Sequence, residues 1–446
     1  MTKSQKLNQI DQNDFASDEG GAISIMNLFF VVALAMLTGI AIDVSNLIQA
    51  RTQLQVAADT AAHAALYKRD DDSLTKDEAK DEAIRIAQAI MPTGRYGNVL
   101  TADHIKFGSW DRSSEEFIVD DSRRDAVYVK ASRLSEDNNA VASFLLQLVG
   151  FSEWDVVTPV VFETYRPTCL REGIVADDVV DIQSNNSFVN GFCIHSNEYF
   201  SVNQNNLFEE GTIVSMPNIE DIDLPSSGYT KNEGLQAALR EGRRRIRIID
   251  QLDEIRDGMT NPDSRYYRDF LLSPIPIMQT LTQNNNNIAT TDLTSGRVHN
   301  LTCDKPNGEI TFAGEVFTDI VIITNCDTKM SNGTAFENAT LIITSESDDT
   351  VSTPNGFRLG KDDGCLDGGG AQLISYGSIK GASALELYGG QILAAGDVEF
   401  TAQNDGIEGA SIVAGGTVSI TSGSTMGFCG TGMEHVFQAE YFRMAY

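Results

Sequence analysis

Ile392-Leu-Ala-Ala-Gly-Asp-Val-Glu-Phe-Thr401 and Ile412-Val-Ala-Gly-Gly-Thr-Val-Ser-Ile-Thr421 are one unit written twice, 20 residues apart. Leu373-Ile-Ser-Tyr-Gly-Ser-Ile379 aligns 19 residues before the first of them, and Val321-Ile-Ile-Thr324 and Leu341-Ile-Ile-Thr344 are again 20 apart. Each unit runs a short apolar strand into a glycine turn, then alternating residues, then a polar turn. A fixed period near 20 with β-rich units predicts a solenoid, because one coil alone cannot bury its inward row. Stacked about 4.8 Å apart, the coils share one core and hydrogen-bond as parallel strands. Asn, Ser and Thr at the turns are expected to form ladders along the stack. Val179 to Met216 has the same texture and reads as earlier coils of the same solenoid.

Between these parts lies residues 221–290, expected to be a helical insertion and linker. Leu235 to Ile255 is apolar at Leu235, Leu239, Ile246, Ile249, Leu252 and Ile255, which predicts an amphipathic helix. Its other face would carry Arg240, Arg243, Arg244, Arg245 and Arg247, the one basic cluster of an acidic chain. That cluster is either a solvated face paired with nearby acids or a docking patch for an acidic partner. Pro274-Ile-Pro276 and Asn284 to Asn287 read as a linker back to the solenoid, 291–446. The aromatic residues at the end of the chain, through Tyr446, are expected to cap the final coil.

At the other end, Ala22 to Ile42 holds about 21 residues without a charge, enough for a helix to cross roughly 30 Å of hydrocarbon. The helix continues without Pro or Gly through Asp43 to Leu66, so 22–66 reads as a transmembrane and stalk rod. Leu47, Ala50, Leu54, Ala57, Ala61 and Ala64 recur at helical spacing, a stripe of small residues suited to close helix pairing. The alternative for the apolar run is a secretory signal, whose apolar region is typically 7–15 residues; this run is longer, and the tail before it is acidic as well as basic. Residues 1–21 read as a disordered cytoplasmic tail.

Asp18-Glu-Gly-Gly-Ala22, Ile42-Asp43-Val44, Arg51 and Leu54-Gln55-Val-Ala57-Ala58-Asp59-Thr-Ala61-Ala62 together resemble the amino-terminal segment of TadE/TadG-like proteins. Those are membrane-anchored components of the tight-adherence (Flp) pilus assembly machinery. Ile105-Lys-Phe107-Gly108, Ala126-Val127-Tyr-Val129, Phe144-Leu145 and Val149-Gly150 echo the small domain that follows the anchor in relatives. The resemblance implies a single-pass protein of the inner membrane, its tail cytoplasmic and its bulk periplasmic. It implies an assembly helix carrying Asp43, Arg51, Leu54, Gln55, Ala57, Ala58, Asp59 and Ala61, meeting other anchored pilus-assembly proteins, and it leaves an oligomer open. One departure stands out: no Glu follows Gly21 at the place where prepilin-type signals carry one.

Residues 67–166 read as a small α+β domain. Leu74 to Ile90 is an amphipathic helix ended by Met91-Pro92, strands fall at His104–Ser109, Glu116–Val119, Ala126–Ala131 and Val156–Thr164, and Ala140 to Val149 reads as a short apolar helix. Trp110 and Trp154 are expected to fill this domain's core. The whole is then α+β at its start and an all-β, right-handed-type parallel solenoid (167–220 and 291–446) beyond.

A net charge of −30 over 446 residues disfavours nucleic acid, which is bound by neutralising phosphates. The six cysteines, Cys169, Cys193, Cys303, Cys326, Cys365 and Cys429, fit three disulfides in an oxidising compartment. Neighbours in sequence suggest Cys169–Cys193 and Cys303–Cys326, leaving Cys365–Cys429, one connectivity among 15. No phosphate loop, dinucleotide fingerprint, nucleophile elbow or His-Glu-x-x-His is present, so no cofactor or metal is expected. A solenoid could still host carbohydrate chemistry on paired carboxylates, for which Asp397 with Glu399, or Asp362, Asp363 and Asp367, would be the candidates. Their glycine-rich surroundings favour turn roles. The reading is therefore a tethered, non-catalytic scaffold, with a surface adhesin and an anchored polysaccharide-acting enzyme as the alternatives.

Overall fold

In the computed structural model, residues 20–71, 74–282, 286–305, 308–353, 357–381, 385–400, 406–433 and 435–446 are described. The tail expected over 1–21 lies almost wholly outside them, as do Asn284, Asn285 and Thr401. The chain divides into two units, Met1–Thr164 with Phe442–Tyr446 and Tyr165–Tyr441.

The first unit is built on one unbroken helix, Gly20–Asp70, 51 residues long. Its apolar first half is bare: Leu28, Phe29, Leu34 and Leu37 are all exposed. From Ala50 onward one side is buried, through Leu54, Ala57, Ala58, Ala61, Ala62, Ala65 and Leu66. The small-residue stripe expected to face other anchored helices is thus filled by this chain itself. The chain reverses after Asp70 and starts a second helix, Lys76–Ile90, whose Ala79, Ala83 and Ala87 are buried in the same cluster. Alanine on both sides lets two helices approach closely. A capping box starts the second helix: Thr75 Oγ1 accepts from Glu78 N at 3.3 Å, and Thr75 N donates to Glu78 Oε2 at 2.8 Å.

A five-stranded antiparallel sheet completes this core, in the order Glu116–Val119, Ile105–Asp111, Ala126–Arg133, Val156–Tyr165, Tyr441–Met444. The last strand corrects an expectation. The carboxy-terminal residues do not end as a cap on the final coil; Val161 N donates to Tyr446 O at 2.7 Å, and Phe442 packs on His63 and Tyr67. Trp110 is half-buried and stacks on Tyr446, while half-buried Trp154 packs against the core. The helix expected over Ala140–Val149 is absent. Val141–Ala142 pairs with Glu153–Trp154, and a short 3-10 turn spans Leu146–Val149.

The second unit is a parallel β-solenoid. One inward row runs Ile322, Leu341, Leu373, Ile392, Ile412, Ile174, Ile194, Val214 and Leu239, each paired in register with the next. A second sheet of nine strands stacks Val351, Ile379, Val398, Val418, Val180 and Phe200 in the same way. The offsets of 20 and 19 read from Ile392–Thr421 and Leu373 are the true registers. Val321 and Leu341 are not: Ile322 pairs with Leu341, an offset of 19, which keeps isoleucine over leucine in the core. The expected ladders are present. Asn206 Oδ1 accepts from Asn186 N at 2.8 Å, Asn232 Oδ1 from Asn206 N at 3.1 Å, and Asn186 Oδ1 from Ser424 N at 2.8 Å.

The coils do not stack in chain order. The chain enters in the middle at Gly173, winds outward to Leu239–Glu241, then restarts at Ile277–Leu281 and winds back. The halves meet where Ser411–Ala414 pairs with Gly173–Ala176, Val418–Ile420 with Val180–Ile182, and Thr425–Gly427 with Ser187–Val189. The solenoid therefore extends beyond 220 on one side and begins before 291 on the other.

The helix expected over Leu235–Ile255 breaks into a turn of helix at Leu235–Ala238, the strand Leu239–Glu241, a 3-10 turn at Ile249–Gln251 and a helix at Leu252–Gly258. Its apolar residues are buried by two different routes. Leu235 joins the inner core. Ile246, Ile248, Leu252, Ile255 and Met259, with Phe437, cover the outer face of the coils at Val175, Val321, Ile342, Ile374, Leu393 and Val413. Those strands are buried on both faces, which explains continuous apolar runs such as Val321-Ile-Ile.

Candidate functional site

Asp43 sits one residue beyond the apolar run and is 1% exposed. Its Oδ1 accepts from Phe144 N at 2.6 Å, and its Oδ2 accepts from Leu145 N at 3.0 Å and Leu146 N at 2.6 Å. These are the free N–H groups that open the 3-10 turn at Leu146–Val149, so a carboxylate there satisfies donors no helix bond can reach. Three residues on, Asn46 Nδ2 donates to Ala142 O at 3.2 Å. One turn earlier Gly39 faces Leu145, where an added Cβ would stand 3.1 Å from that side chain. Asp43, Asn46 and Gly39 are one surface of the long helix, and together they hold the loop Ser143–Phe151 against it. Asp43 thus caps the 3-10 turn that stands where the longer helix was expected.

Gly39 and Leu145 belong to a cleft of about 360 Å³ lined by Val32, Ala35, Met36, Gly39 and Ile40 of the long helix and Leu145, Leu146 and Leu148 of the loop. Its walls are almost wholly aliphatic. The loop tip is equally apolar: Phe144, Leu148 and Phe151 are 57%, 81% and 62% exposed.

Of the other residues of the assembly helix, Leu54, Ala57, Ala58 and Ala61 lie in the core, while Arg51 is exposed and apart from them. Gln55 Nε2 donates to Asp59 Oδ1 at 2.6 Å, a pair one turn apart on the half-buried edge. The structure thus joins Asp43 to a loop 100 residues away and leaves Arg51 outside that site.

The basic cluster is not one helix face. Arg240 donates to Ala237 O and Leu239 O, both at 2.7 Å, and Arg245 pairs with Asp250 at 3.0 Å. Arg247 bonds Glu440 O. Arg243, Arg244 and Arg245 line a cleft of about 600 Å³ with Asp177, Asn197 and Asp250. Beneath it, His195 is fully buried, with Nδ1 2.8 Å from Ser215 Oγ and Nε2 3.0 Å from Asn197 Oδ1. Burial pushes the imidazole below its ordinary 6.5, although the Asn197 bond works the other way.

All three disulfides, Cys169–Cys193, Cys303–Cys326 and Cys365–Cys429, are formed. Beside the last, Glu172 accepts from Cys429 N at 2.7 Å and Gly430 N at 2.9 Å; burial raises its pKa against the pull of those donors. The carboxylates weighed for catalysis include two that serve turns. Asp397 Oδ1 accepts from Thr417 N at 2.8 Å, and Asp363 Oδ1 from Leu366 N at 3.1 Å.

The long helix and the solenoid each match a known family. Residues 20–79 match the family described as Flp pilus-assembly TadE/G-like. Residues 173–430 match a family described as a domain of unknown function (DUF7867). No curated protein and no solved structure matches the chain. Since the second match takes in more than half of its length, the chain belongs to the DUF7867 family, and it carries that solenoid domain behind a TadE/G-like amino-terminal segment.

Proposed function

We propose that this protein is a membrane-anchored, non-catalytic component of a Flp-type pilus assembly or related secretion apparatus. Residues 22–42 cross the inner membrane once, the tail lies in the cytoplasm, and the solenoid stands in the periplasm as a scaffold. The observation that carries this reading is the single helix Gly20–Asp70, apolar and bare in its first half and built into a folded core in its second, coincident with the TadE/G-like match. Three disulfides support an oxidising compartment for the solenoid. The test is deletion of the gene with return of the full chain or of a chain lacking residues 165–441. Surface filaments should disappear on deletion and return with the full chain; normal filaments in the deletion strain would sink the proposal. Purification from membranes with this chain as bait should bring down other anchored assembly proteins.

A second reading, the solenoid as a binding module, is favoured by the Arg243–Arg245 cleft in a chain of net charge −30. An acidic ligand surface would be drawn there. Normal piliation combined with surface binding that Arg243→Glu and Arg244→Glu abolish would support it over assembly.

A further inference from the structure

We infer that the loop Ser143–Phe151 enters the bilayer beside the span and seats in the outer half of its hydrocarbon, a second membrane contact made by the folded domain. The inference rests on the reading of residues 22–42 as the membrane span. Four observations carry it.

The first is position. Asp18 and Glu19 bound the apolar run on one side and Asp43 on the other. A core of roughly 30 Å needs about 20 helical residues, so essentially the whole run is in hydrocarbon. The cleft residues Val32 to Ile40 lie within it, and Leu145, Leu146 and Leu148 are held against them. At 1.5 Å per residue the cleft covers about 12 Å of helix, inside the outer half of the core.

The second is composition. Val141 to Phe151 contains no charged residue in a chain where nearly a quarter of residues are charged. Phe144, Leu148 and Phe151 present their side chains to the surroundings rather than to the protein, a patch that water penalises and lipid accepts.

The third is the backbone. Irregular chain is tolerated at membrane depth only where its polar groups are satisfied from within the protein. Ser143 N donates to Ser152 O, Phe144, Leu145 and Leu146 N to Asp43, Leu148 N to Leu145 O, Gly150 N to Gln147 O and Phe151 N to Leu146 O. Of the polar side chains, Gln147 Nε2 donates to Phe144 O at 2.7 Å, and Ser143 Oγ is buried inside the protein without a hydrogen-bond partner. Gly150, with φ of 96°, closes the turn in the left-handed region where a side chain would strain it.

The fourth is continuity. The loop extends the apolar surface of the span itself, so the occupant that covers one covers the other: lipid acyl chains. Asp43 is what makes this possible, because it supplies acceptors for three N–H groups that would otherwise meet hydrocarbon unpaired.

The test uses the full chain in vesicles of phosphatidylcholine and phosphatidylglycerol. With the native cysteines paired, the single variants Leu148→Cys, Leu34→Cys and Ile118→Cys each take an environment-sensitive fluorophore. Leu34 reports the span and Ile118 an exposed strand. Lipid spin-labelled at shallow and deep acyl positions together should quench the Leu148 label at least half as strongly as the Leu34 label, with blue-shifted emission, and leave Ile118 unquenched. Quenching at Leu34 with water-like or blue-shifted but unquenched emission at Leu148 overturns the inference, the second case meaning a protein cover. Loss of quenching at Leu34 as well overturns the span and the inference with it.

Discussion

Asp43 and His195 are buried polar residues solved in opposite ways. Asp43 keeps its charge and gathers three backbone donors on a loop far away in sequence. An asparagine there offers one carbonyl oxygen and turns an NH2 toward the same amides. Asp43→Asn should therefore release the loop: the amides of Phe144, Leu145 and Leu146 exchange with solvent at least about tenfold faster, while the second helix keeps its protection. Unchanged exchange at those three amides would show the carboxylate to be incidental. His195 instead stays neutral, buried between Ser215 and Asn197. Its folded pKa lies below 6.5, so below about pH 6.5 the unfolded chain binds a proton the folded chain refuses. Stability is then lost as the pH falls. Between about pH 7.5 and about pH 5.5 the melting midpoint of the wild type should drop further than that of His195→Gln. His299 shifts in the same direction through burial, so the variant removes only part of the slope. Equal drops in both proteins would mean His195 is not depressed.

Two helices packed through alanine form the element on which the first unit depends. Ala57, Ala58, Ala61 and Ala62 are fully buried in one cluster with Ala79 and Ala83, which leaves no room for a longer side chain. Ala61→Leu should cost about 1–3 kcal/mol through overpacking. Hydrogen exchange in Lys76–Ile90 would quicken while the solenoid strands stay as they were; a rise in stability would show the site to be underfilled. Thr75→Ala removes one half of the capping box and should cost about 1 kcal/mol in the same helix. At this scale the sequence was partly readable. The Ala stripe announced a close helix contact, and the stripe itself could not say whether the partner was another chain or the next helix. The rod expected over 22–66 runs on through the charged residues Lys68, Arg69 and Asp70. Leu235 to Ile255 showed apolar residues at helical spacing, and they are buried, but pairing of Leu239–Glu241 with Val214–Met216 outweighs local helix propensity. In place of the helix expected over Ala140–Val149 stand a strand pair and one 3-10 turn, and the residue that caps that turn, Asp43, is about 100 residues away.

The winding of the whole solenoid was the least legible feature. Its period shows in sequence because each coil repeats the last, so Ile392 and Ile412 announce themselves. The seam does not, because Ser411–Ala414 meets Gly173–Ala176 across 238 residues and carries the same pattern as any other rung. The disulfides each lie within one half. Cys303–Cys326, 23 residues apart, joins neighbouring coils, and Cys169–Cys193, 24 apart, ties the helical turn Thr168–Arg171 ahead of the first coil to the strand Cys193–Ser196. Cys365–Cys429 closes a loop of 64 and ties two stretches of the returning half, while Glu172 reaches across the seam to the backbone of Cys429 and Gly430. Across the seam the halves are held without a bridge, by strand pairing and by bonds such as Cys429 N to Glu172 and Ser424 N to Asn186 Oδ1. On chain-entropy grounds the longer loop contributes about 4 kcal/mol and the Cys303–Cys326 loop about 3 kcal/mol. Replacing Cys365 and Cys429 with serine should therefore lower the melting midpoint more than replacing Cys303 and Cys326. It should also speed exchange first in the stretches beside that bridge, Phe357–Leu359 and Thr425–Gly427, leaving the coils around Cys303–Cys326 protected. Should the Cys303–Cys326 variant be the weaker protein, the length of the closed loop does not set the order of the two bridges.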